Sequence, residues 1–234
     1  MGTLARPFPS RRRAGVPILR MSVTVLKLGG SLLDRPDLPD RLRAVFAKLD
    51  GDRPLLICGG GEAADVVRRW HDAHRLDEEQ SHWLALDSIR LNQRLLLTLM
   101  PELELVSNRA AAESAWTRGR IPLLDLMAFV SIEESAHDAN VKPLPHNWFV
   151  TSDSLAAWTA IRWPASRLVL LKSLELAPRE NLSQAVEAGL IDGFFPALES
   201  DLPPTFWCHL RGIERLEFEP LNSASLRPQQ KVIR

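Results

Sequence analysis

The sequence predicts an α/β fold, a three-layer α/β/α sandwich in which helices cover both faces of a mainly parallel sheet. Two observations support this prediction. The apolar runs Val23–Leu26 and Leu55–Cys58 each lead directly into a glycine-rich turn, and each turn opens a segment with helical signals. Repeated strand-turn-helix units are typical of parallel sheets, because a crossover helix returns the chain to the same end of the sheet.

The first turn, Lys27-Leu28-Gly29-Gly30-Ser31, has the residue types of an anion site. Peptide N–H groups freed at a tight turn form a concavity for phosphate, and the lysine and serine add a charge and a rotatable donor. A bare joint with a surface lysine is the alternative for this turn alone. The second turn, Gly59-Gly60-Gly61, favours phosphate binding, since ligands of open α/β sheets bind where such turns meet at the carboxyl edge.

Composition narrows the classes of function. The 234 residues contain 29 acidic and 29 basic side chains, so no overall field attracts nucleic acid or an anionic membrane. Cys58 and Cys208 provide neither a disulfide framework nor a metal cluster, which suits a reducing cytoplasm. No apolar run approaches the roughly 18 residues of a membrane helix. We therefore expect a cytoplasmic protein without nucleic-acid or membrane partners.

The first 20 residues differ from the rest of the chain. They interleave five arginines with three prolines and contain no apolar core of a signal peptide: Arg6, Arg11, Arg12, Arg13, Arg20, Pro7, Pro9 and Pro17. We predict that residues 1–20 are a disordered basic extension and that residues 21–234 form a single domain. Met21, directly before the first strand, is an alternative initiator.

The segments around the second turn continue the α/β pattern. Asp40 is expected to cap a helix that runs to about Leu49, after a loop at Pro36–Pro39. A second helix begins at Glu62. The longest helical candidate is 77–100, which contains neither glycine nor proline and ends at Pro101.

The remaining elements follow in order. Strands are predicted at Leu103–Ser107 and Ile121–Leu126, with a helix at Ala110–Trp116 between them, and 128–150 is predicted to be a long loop that forms a lid or substrate edge. Thr151-Ser152-Asp153-Ser154 then supplies cap residues for an apolar helix. The last segments predicted are a strand at Arg167–Leu171 that leads into Lys172-Ser173, a helix at Leu182–Ala188, a turn at Gly189–Pro196 and a closing strand at Ile213–Phe218.

The order of these motifs from about Val23 to Phe195 resembles the amino acid kinase superfamily, whose members include acetylglutamate, uridylate and isopentenyl phosphate kinases. Within it, the sequence is most similar to the small kinases of methanofuran biosynthesis, which phosphorylate an aminomethyl-furanmethyl phosphate to the diphosphate. Three segments support this narrower resemblance: Ser81-His82-Trp83, Trp148–Trp158, and Gly189–Asp192 ahead of Phe194-Phe195.

The resemblance implies an ATP-dependent kinase acting on a small anionic substrate, with Mg²⁺ arriving on ATP. Phosphoryl transfer needs positioning and charge neutralisation rather than covalent help. Lys27 and Lys172, each at a strand end, are placed to flank the migrating group, and Asp153 either holds a lysine charged and aimed or ligates Mg²⁺. Further phosphate contacts are expected from Gly29, Gly30, Ser31 and Ser173, with Gly59 and Gly60 adding backbone donors.

An acceptor that carries both a phosphate and an ammonium calls for a cation and an acid nearby. The residues expected at the acceptor are Gly59, Gly60, Gly61, Glu62, His82, Asp87, Arg90, Thr151 and Ser152. His82 can equally be a packing residue, and Arg90 a solvated helix residue. Trp148 either shields the site or anchors its loop. His71 and His74 are three apart on a helix but lack a third metal ligand in the sequence, so we do not assign them a metal.

One departure and two rival functions remain. Where many members carry an Asp-Val-Asp-Gly-like loop near the base, this chain has Lys172–Pro178, which leaves the choice of nucleotide open. The rivals are a kinase of the same fold that forms an acyl phosphate and a non-catalytic sensor of a nucleotide or metabolite. A second lysine aimed at the transferred group argues against the sensor. The resemblance also implies a homo-oligomer, in which the long helix can pair with its copy.

Overall fold

The structure is a computed structural model that describes residues 22–49, 51–135, 143–175, 182–212 and 216–221. The predicted extension and Met21 lie outside these ranges. Within them the strands are β1 (Val23–Leu28), β2 (Arg53–Cys58), β3 (Leu103–Val106), β4 (Ile121–Leu124), β5 (Arg167–Lys172), β6 (Thr205–His209) and β7 (Glu219–Pro220). The α-helices are α1 (Leu38–Ala47), α2 (Gly61–His74), α3 (Glu78–Leu99), α4 (Arg109–Thr117), α5 (Leu126–Ser135), α6 (Ser152–Arg162) and α7 (Leu182–Glu187), and 3-10 helices span Gly30–Leu32 and Phe195–Asp201.

The strands form one sheet in the order β3-β4-β2-β1-β5-β6-β7, in which only β7 runs antiparallel to its neighbour. The α/β fold with a mainly parallel sheet is therefore confirmed. Every residue of β1 is buried, as expected for a central strand covered on both faces. Because β1, β2 and β5 are parallel neighbours, their carboxyl ends meet at one edge, here termed the carboxyl edge.

The predicted long helix is present as α3. Asp77 begins it with a capping box, in which its carboxylate accepts from the Gln80 amide at 2.7 Å while the Gln80 side chain accepts from the Asp77 amide at 3.3 Å. The helix ends at Leu99, and Pro101 follows one residue after Met100. Among the helices that the structure describes, none is both long and apolar enough to cross a membrane.

The prediction of a loop throughout 128–150 is wrong for its first part, because α5 continues to Ser135. The helix is held by three apolar residues at helical spacing, Leu126, Phe129 and Val130, all of which are buried. Asp125 begins it by accepting from the Ala128 amide at 3.2 Å. Residues 143–150 do form a loop, and residues 136–142 lie outside the described ranges.

Two further predictions need correction. Of the closing strand predicted at 213–218, residues 216–218 are not in a strand and residues 213–215 lie outside the described ranges; β6, with Trp207 fully buried, pairs with β5 instead. Helix α1 begins two residues before Asp40, with Asp37 as its N-cap and Pro39 in its first turn. Proline is tolerated there because first-turn amides have no partner within the helix.

Candidate active site

The two glycine turns touch each other at the carboxyl edge. A Cβ added to Gly30 would lie 2.1 Å from the Gly61 nitrogen, so the two turns meet backbone to backbone with no room for a side chain. Gly61 also has a φ of +51°, a left-handed conformation that favours glycine. The turns therefore form one surface of peptide groups, here termed the glycine corner (residues 29–30 and 59–61).

Hydrogen bonds from neighbouring strands and from α3 hold this corner in place. The Gly29 amide donates to the Leu171 carbonyl at 2.8 Å, and the Gly59 amide donates to the Leu28 carbonyl at 2.9 Å. From α3, the buried Asn92 side chain donates to the carbonyls of Gly59 and Gly60 at 2.9 and 2.7 Å. Asn92 was not among the residues predicted from the sequence, although a polar residue on the inward face of an apolar helix is a usable signal.

Lys27, Asp153 and Lys172 converge beside the corner, and we call them the lysine–aspartate trio. Lys27 is in register with Leu170 of β5, so Lys172, two residues further on, is on the same face of the sheet. Asp153, in the first turn of α6, places one oxygen 2.7 Å from the Lys27 Nζ and the other 2.7 Å from the Lys172 Nζ. The side chains are only 5%, 7% and 13% exposed for Lys27, Asp153 and Lys172, respectively.

Burial and charge set the ionisation of the trio. Burial opposes the charged form of Asp153, but the ammonium groups of Lys172 and Lys27 lower the pKa of its carboxyl to about 2. Burial, assisted by the charge of Lys27, lowers the pKa of Lys172 to about 8 against the attraction of Asp153. With two ammonium groups and one carboxylate, the trio carries a net positive charge that is incompletely solvated, which favours binding of an anion.

The trio does not fit a metal site. Both oxygens of Asp153 already face ammonium groups, so the geometry favours the lysine-holding role over ligation of Mg²⁺. Across the ranges that the structure describes, no three His, Cys, Asp or Glu residues are arranged to hold a metal ion, and this includes the surroundings of His71 and His74. His71 instead contacts the Ser81 hydroxyl at 2.8 Å.

A cavity of about 190 Å³ adjoins the glycine corner and Lys27, whereas Asp153 and Lys172 do not line it. Its lining includes Lys27, the corner residues Gly30, Gly60 and Gly61, and the predicted acceptor residues Thr151 and Ser152. The rest of the lining is Ala64, Asp65, Arg68, Glu78, His82, Ala85, Leu86, Ile89, Asn147, Trp148, Val150 and Leu155. The Arg68 guanidinium lies over the Trp148 ring, with its Cζ atom 5.0 Å from the ring centroid. Trp148 therefore both lines the cavity and is anchored.

Several other predicted residues do not line this cavity. Ser31 and Ser173 meet through their hydroxyls at 2.9 Å, which joins the ends of β1 and β5. Glu62 lines a different cavity, together with Ser31 and Arg211. Arg90 and Asp87 line neither of these cavities: Arg90 lies 3.7 Å from Asp125 and pairs weakly with Asp87.

His82 lies in the cavity wall and stacks on His146, with ring centroids 3.9 Å apart. The two nitrogens of His146 contact Glu79 at 2.6 Å and Glu134 at 2.8 Å. Although burial opposes it, these carboxylates raise the pKa of His146, whereas burial and the charge of His146 lower the pKa of His82 to about 4. His82 is therefore a neutral wall residue near pH 7, held by a cluster that joins α3, α5 and the 143–150 loop.

Comparisons with known proteins give one curated relative and several structures of the same fold. The [5-(aminomethyl)furan-3-yl]methyl phosphate kinase of Methanocaldococcus jannaschii is 29% identical over 142 residues, which span 57% of this chain and 58% of that protein. The uridylate kinase of Archaeoglobus fulgidus matches with a TM-score of 0.53 and 17% identity, over 88% of this chain and 93% of that one. The aspartate kinase of Synechocystis matches with a TM-score of 0.57 and 11% identity, over 85% and 40%. At these identities the two structures establish the fold alone.

The family model for the amino acid kinase family matches residues 22–175. This range begins just before β1 and ends after β5, so it contains the glycine corner and all three residues of the trio. Since the match covers more than half of the 234 residues, the chain belongs to the amino acid kinase family.

Proposed function

We propose that this chain is an ATP-dependent kinase that transfers the γ-phosphoryl group to a small anionic acceptor. The observation that carries the proposal is the buried trio, in which Asp153 holds two lysine ammonium groups beside the glycine corner and one of them, Lys27, lines the adjoining cavity. Two cations around one carboxylate leave an excess positive charge where the charge of a migrating phosphoryl group needs neutralisation.

In this proposal each group has a separate task. Lys27 and Lys172 neutralise the charge on the transferred group, and Asp153 keeps both ammonium groups in fixed positions. The glycine corner supplies peptide donors that are already oriented, so little reorganisation is needed during transfer. ATP supplies the phosphoryl group, with Mg²⁺ accompanying its phosphates. If the acceptor atom is an ionised phosphate oxygen, no general base is required.

Our best specific acceptor is [5-(aminomethyl)furan-3-yl]methyl phosphate, which would give the diphosphate in methanofuran biosynthesis. Support comes from the name of the Methanocaldococcus relative and from the lining of the cavity. Lys27 and the corner suit the phosphate end of such a molecule, and Trp148 suits its ring. Glu78 supplies a carboxylate for its ammonium, Asp65 adds a second that also binds Arg68, and the neutral His82 adds no opposing charge.

ATP turnover against a panel of phosphomonoesters and carboxylates tests this function, with Lys27→Ala as the inactive control. We expect phosphorylation of the aminomethylfuran phosphate and no activity in the control. Activity on carboxylates alone would replace the proposal by the acyl-phosphate-forming kinase. Tight nucleotide binding without turnover of any acceptor would replace it by the sensor.

We also propose that the chain forms a homo-oligomer through α3. Leu91, Leu95 and Leu99 repeat every four residues on this helix and are 63%, 41% and 41% exposed, so they form an apolar stripe on the surface. Sedimentation velocity is expected to give a mass at least twice the 26.3 kDa of one chain, and Leu95→Glu is expected to reduce it. A mass of one chain at micromolar concentration would contradict the proposal.

A further inference from the structure

The turn after α7 places one carboxylate against the start of α6. Asp192 accepts six hydrogen bonds, three at each oxygen. Its Oδ2 accepts from the Thr151 amide at 2.9 Å, the Thr151 hydroxyl at 2.8 Å and the Ser154 amide at 2.9 Å. Its Oδ1 accepts from the Ser154 hydroxyl and from the amides of Phe194 and Phe195 at 3.2 and 3.0 Å.

This arrangement makes Asp192 the effective cap of α6. The side chain of the N-cap residue, Thr151, reaches the Asp153 amide only at 3.5 Å, whereas its hydroxyl donates to Asp192 at 2.8 Å. Asp153 lies between Thr151 and Ser154, the two residues that Asp192 contacts. A carboxylate at a helix N-terminus accepts hydrogen bonds from amides that have no partner within the helix, and the helix dipole stabilises its charge. Asp192 therefore fixes the backbone from which Asp153 projects.

The same turn reaches the other side of the trio. The Leu190 carbonyl, two residues before Asp192, accepts from the Lys172 Nζ at 2.6 Å. Burial and the charges of Asp153 and Lys27 have the largest effects on the pKa of Lys172. The charge of Asp192 has a smaller effect, which raises this pKa. The 190–192 turn thus contacts both the helix that carries Asp153 and the ammonium group that Asp153 binds.

We propose that Asp192 is a positioning residue for phosphoryl transfer, which sets the geometry of the Asp153–Lys172 pair without touching the substrates. The proposal rests on the proposed kinase function. It assigns to the 190–192 turn the task of keeping the second lysine aimed while the first lysine is held by β1. Misplacement of a catalytic group by about 1 Å can reduce a rate by about 100-fold.

The chemistry of the contacts requires a group that only accepts hydrogen bonds. Four of the six partners are backbone amides, two at each oxygen, and an amide N–H can only donate, so both oxygens of Asp192 must be acceptors. In Asp192→Asn one oxygen becomes an NH₂ group that faces two amide donors, and only the hydroxyl on that side could turn to accept from it. Asparagine therefore fills the same volume but cannot restore the contacts, and it distinguishes positioning by the carboxylate from simple packing.

The first test compares kcat and KM of the full chain and three variants. In Asp192→Asn we expect kcat to fall by about 10- to 100-fold while KM for ATP and acceptor changes by less than about 3-fold. Ser154→Ala, which removes one donor to Oδ1, is expected to lower kcat by a few-fold and serves if Asp192→Asn folds poorly. Asp52→Asn is the control, because Asp52 binds Thr24 and Arg167 at the opposite edge of the sheet.

The second test does not depend on turnover. Competitive acetylation with mass-spectrometric detection across pH 6–10 would report the pKa of each lysine. We expect Asp192→Asn to shift the labelling profile of Lys172 to lower pH and Asp52→Asn to leave it unchanged. If Asp192→Asn shows this shift but the wild-type chain has no kinase activity, the proposed function is rejected and the positioning role is retained. Unchanged kcat and unchanged labelling of Lys172 in Asp192→Asn and Ser154→Ala would overturn the positioning role.

Discussion

Lys27→Met and Lys172→Met are each expected to lower kcat by about 1,000-fold or more, the range in which a cation at a transferring phosphoryl group acts. Methionine keeps much of the length of the lysine side chain and removes its charge, so the packing around Asp153 is largely retained. The loss arises because the charge that develops on the migrating group is then neutralised by one ammonium group instead of two.

Lys48→Met is the matched control, since Lys48 is exposed and donates to the Leu216 carbonyl rather than to the trio. It should turn over at the wild-type rate. Calorimetric titration with ATP should show a much smaller change in Kd than in kcat for the trio variants, because the glycine corner, which we propose binds phosphate, is unchanged in them. Wild-type kcat in either trio variant, in a folded protein, would contradict the role assigned to these lysines.

Gly30→Ala is expected to destabilise the protein by about 3 kcal/mol or more, the upper range for forced overpacking. A Cβ at this position would lie 2.1 Å from the nitrogen and 2.4 Å from the Cα of Gly61. Both atoms belong to the backbone, so no change of rotamer relieves the clash. The two turns would have to separate, which removes the peptide surface proposed to bind phosphate.

Gly119→Ala is the matched control for this substitution. Gly119 has a φ of +70°, and a Cβ added there would meet no atom within 4 Å, so only the left-handed conformation is penalised, at about 1–2 kcal/mol. Urea unfolding at equilibrium measures both free energies of unfolding. Equal losses in the two variants would show that contact between the turns is not what requires glycine at position 30.

Local sequence was enough to predict the elements that carry the site. Each of the strands β1, β2 and β5 is a short apolar run followed by a polar or glycine-rich end, and this pattern does not depend on distant residues. Parallel pairing then brings their carboxyl ends together, which is why Lys27 and Lys172 could be expected at one edge although they are far apart in the chain.

The missed features depend on contacts between distant segments. Asp192 is 41 and 38 residues from its partners Thr151 and Ser154, and His146 is 67 and 12 residues from Glu79 and Glu134, so local patterns do not reveal these contacts. The strand β6 was missed because its apolar run, Phe206–Cys208, is only three residues long and is identified as a strand by its pairing with β5. Helix α5 was missed because its inward face has only three buried residues.

A crystal structure with ADP, Mg²⁺, aluminium fluoride and the acceptor phosphate tests the central claim most directly, because the fluoride occupies the place of the transferred group. We predict that the Nζ atoms of Lys27 and Lys172 both lie within hydrogen-bonding distance of it, at about 3 Å. Asp153 should still bridge the two lysines. A fluoride group bound elsewhere, with neither lysine in contact, would contradict the claim that the trio serves phosphoryl transfer.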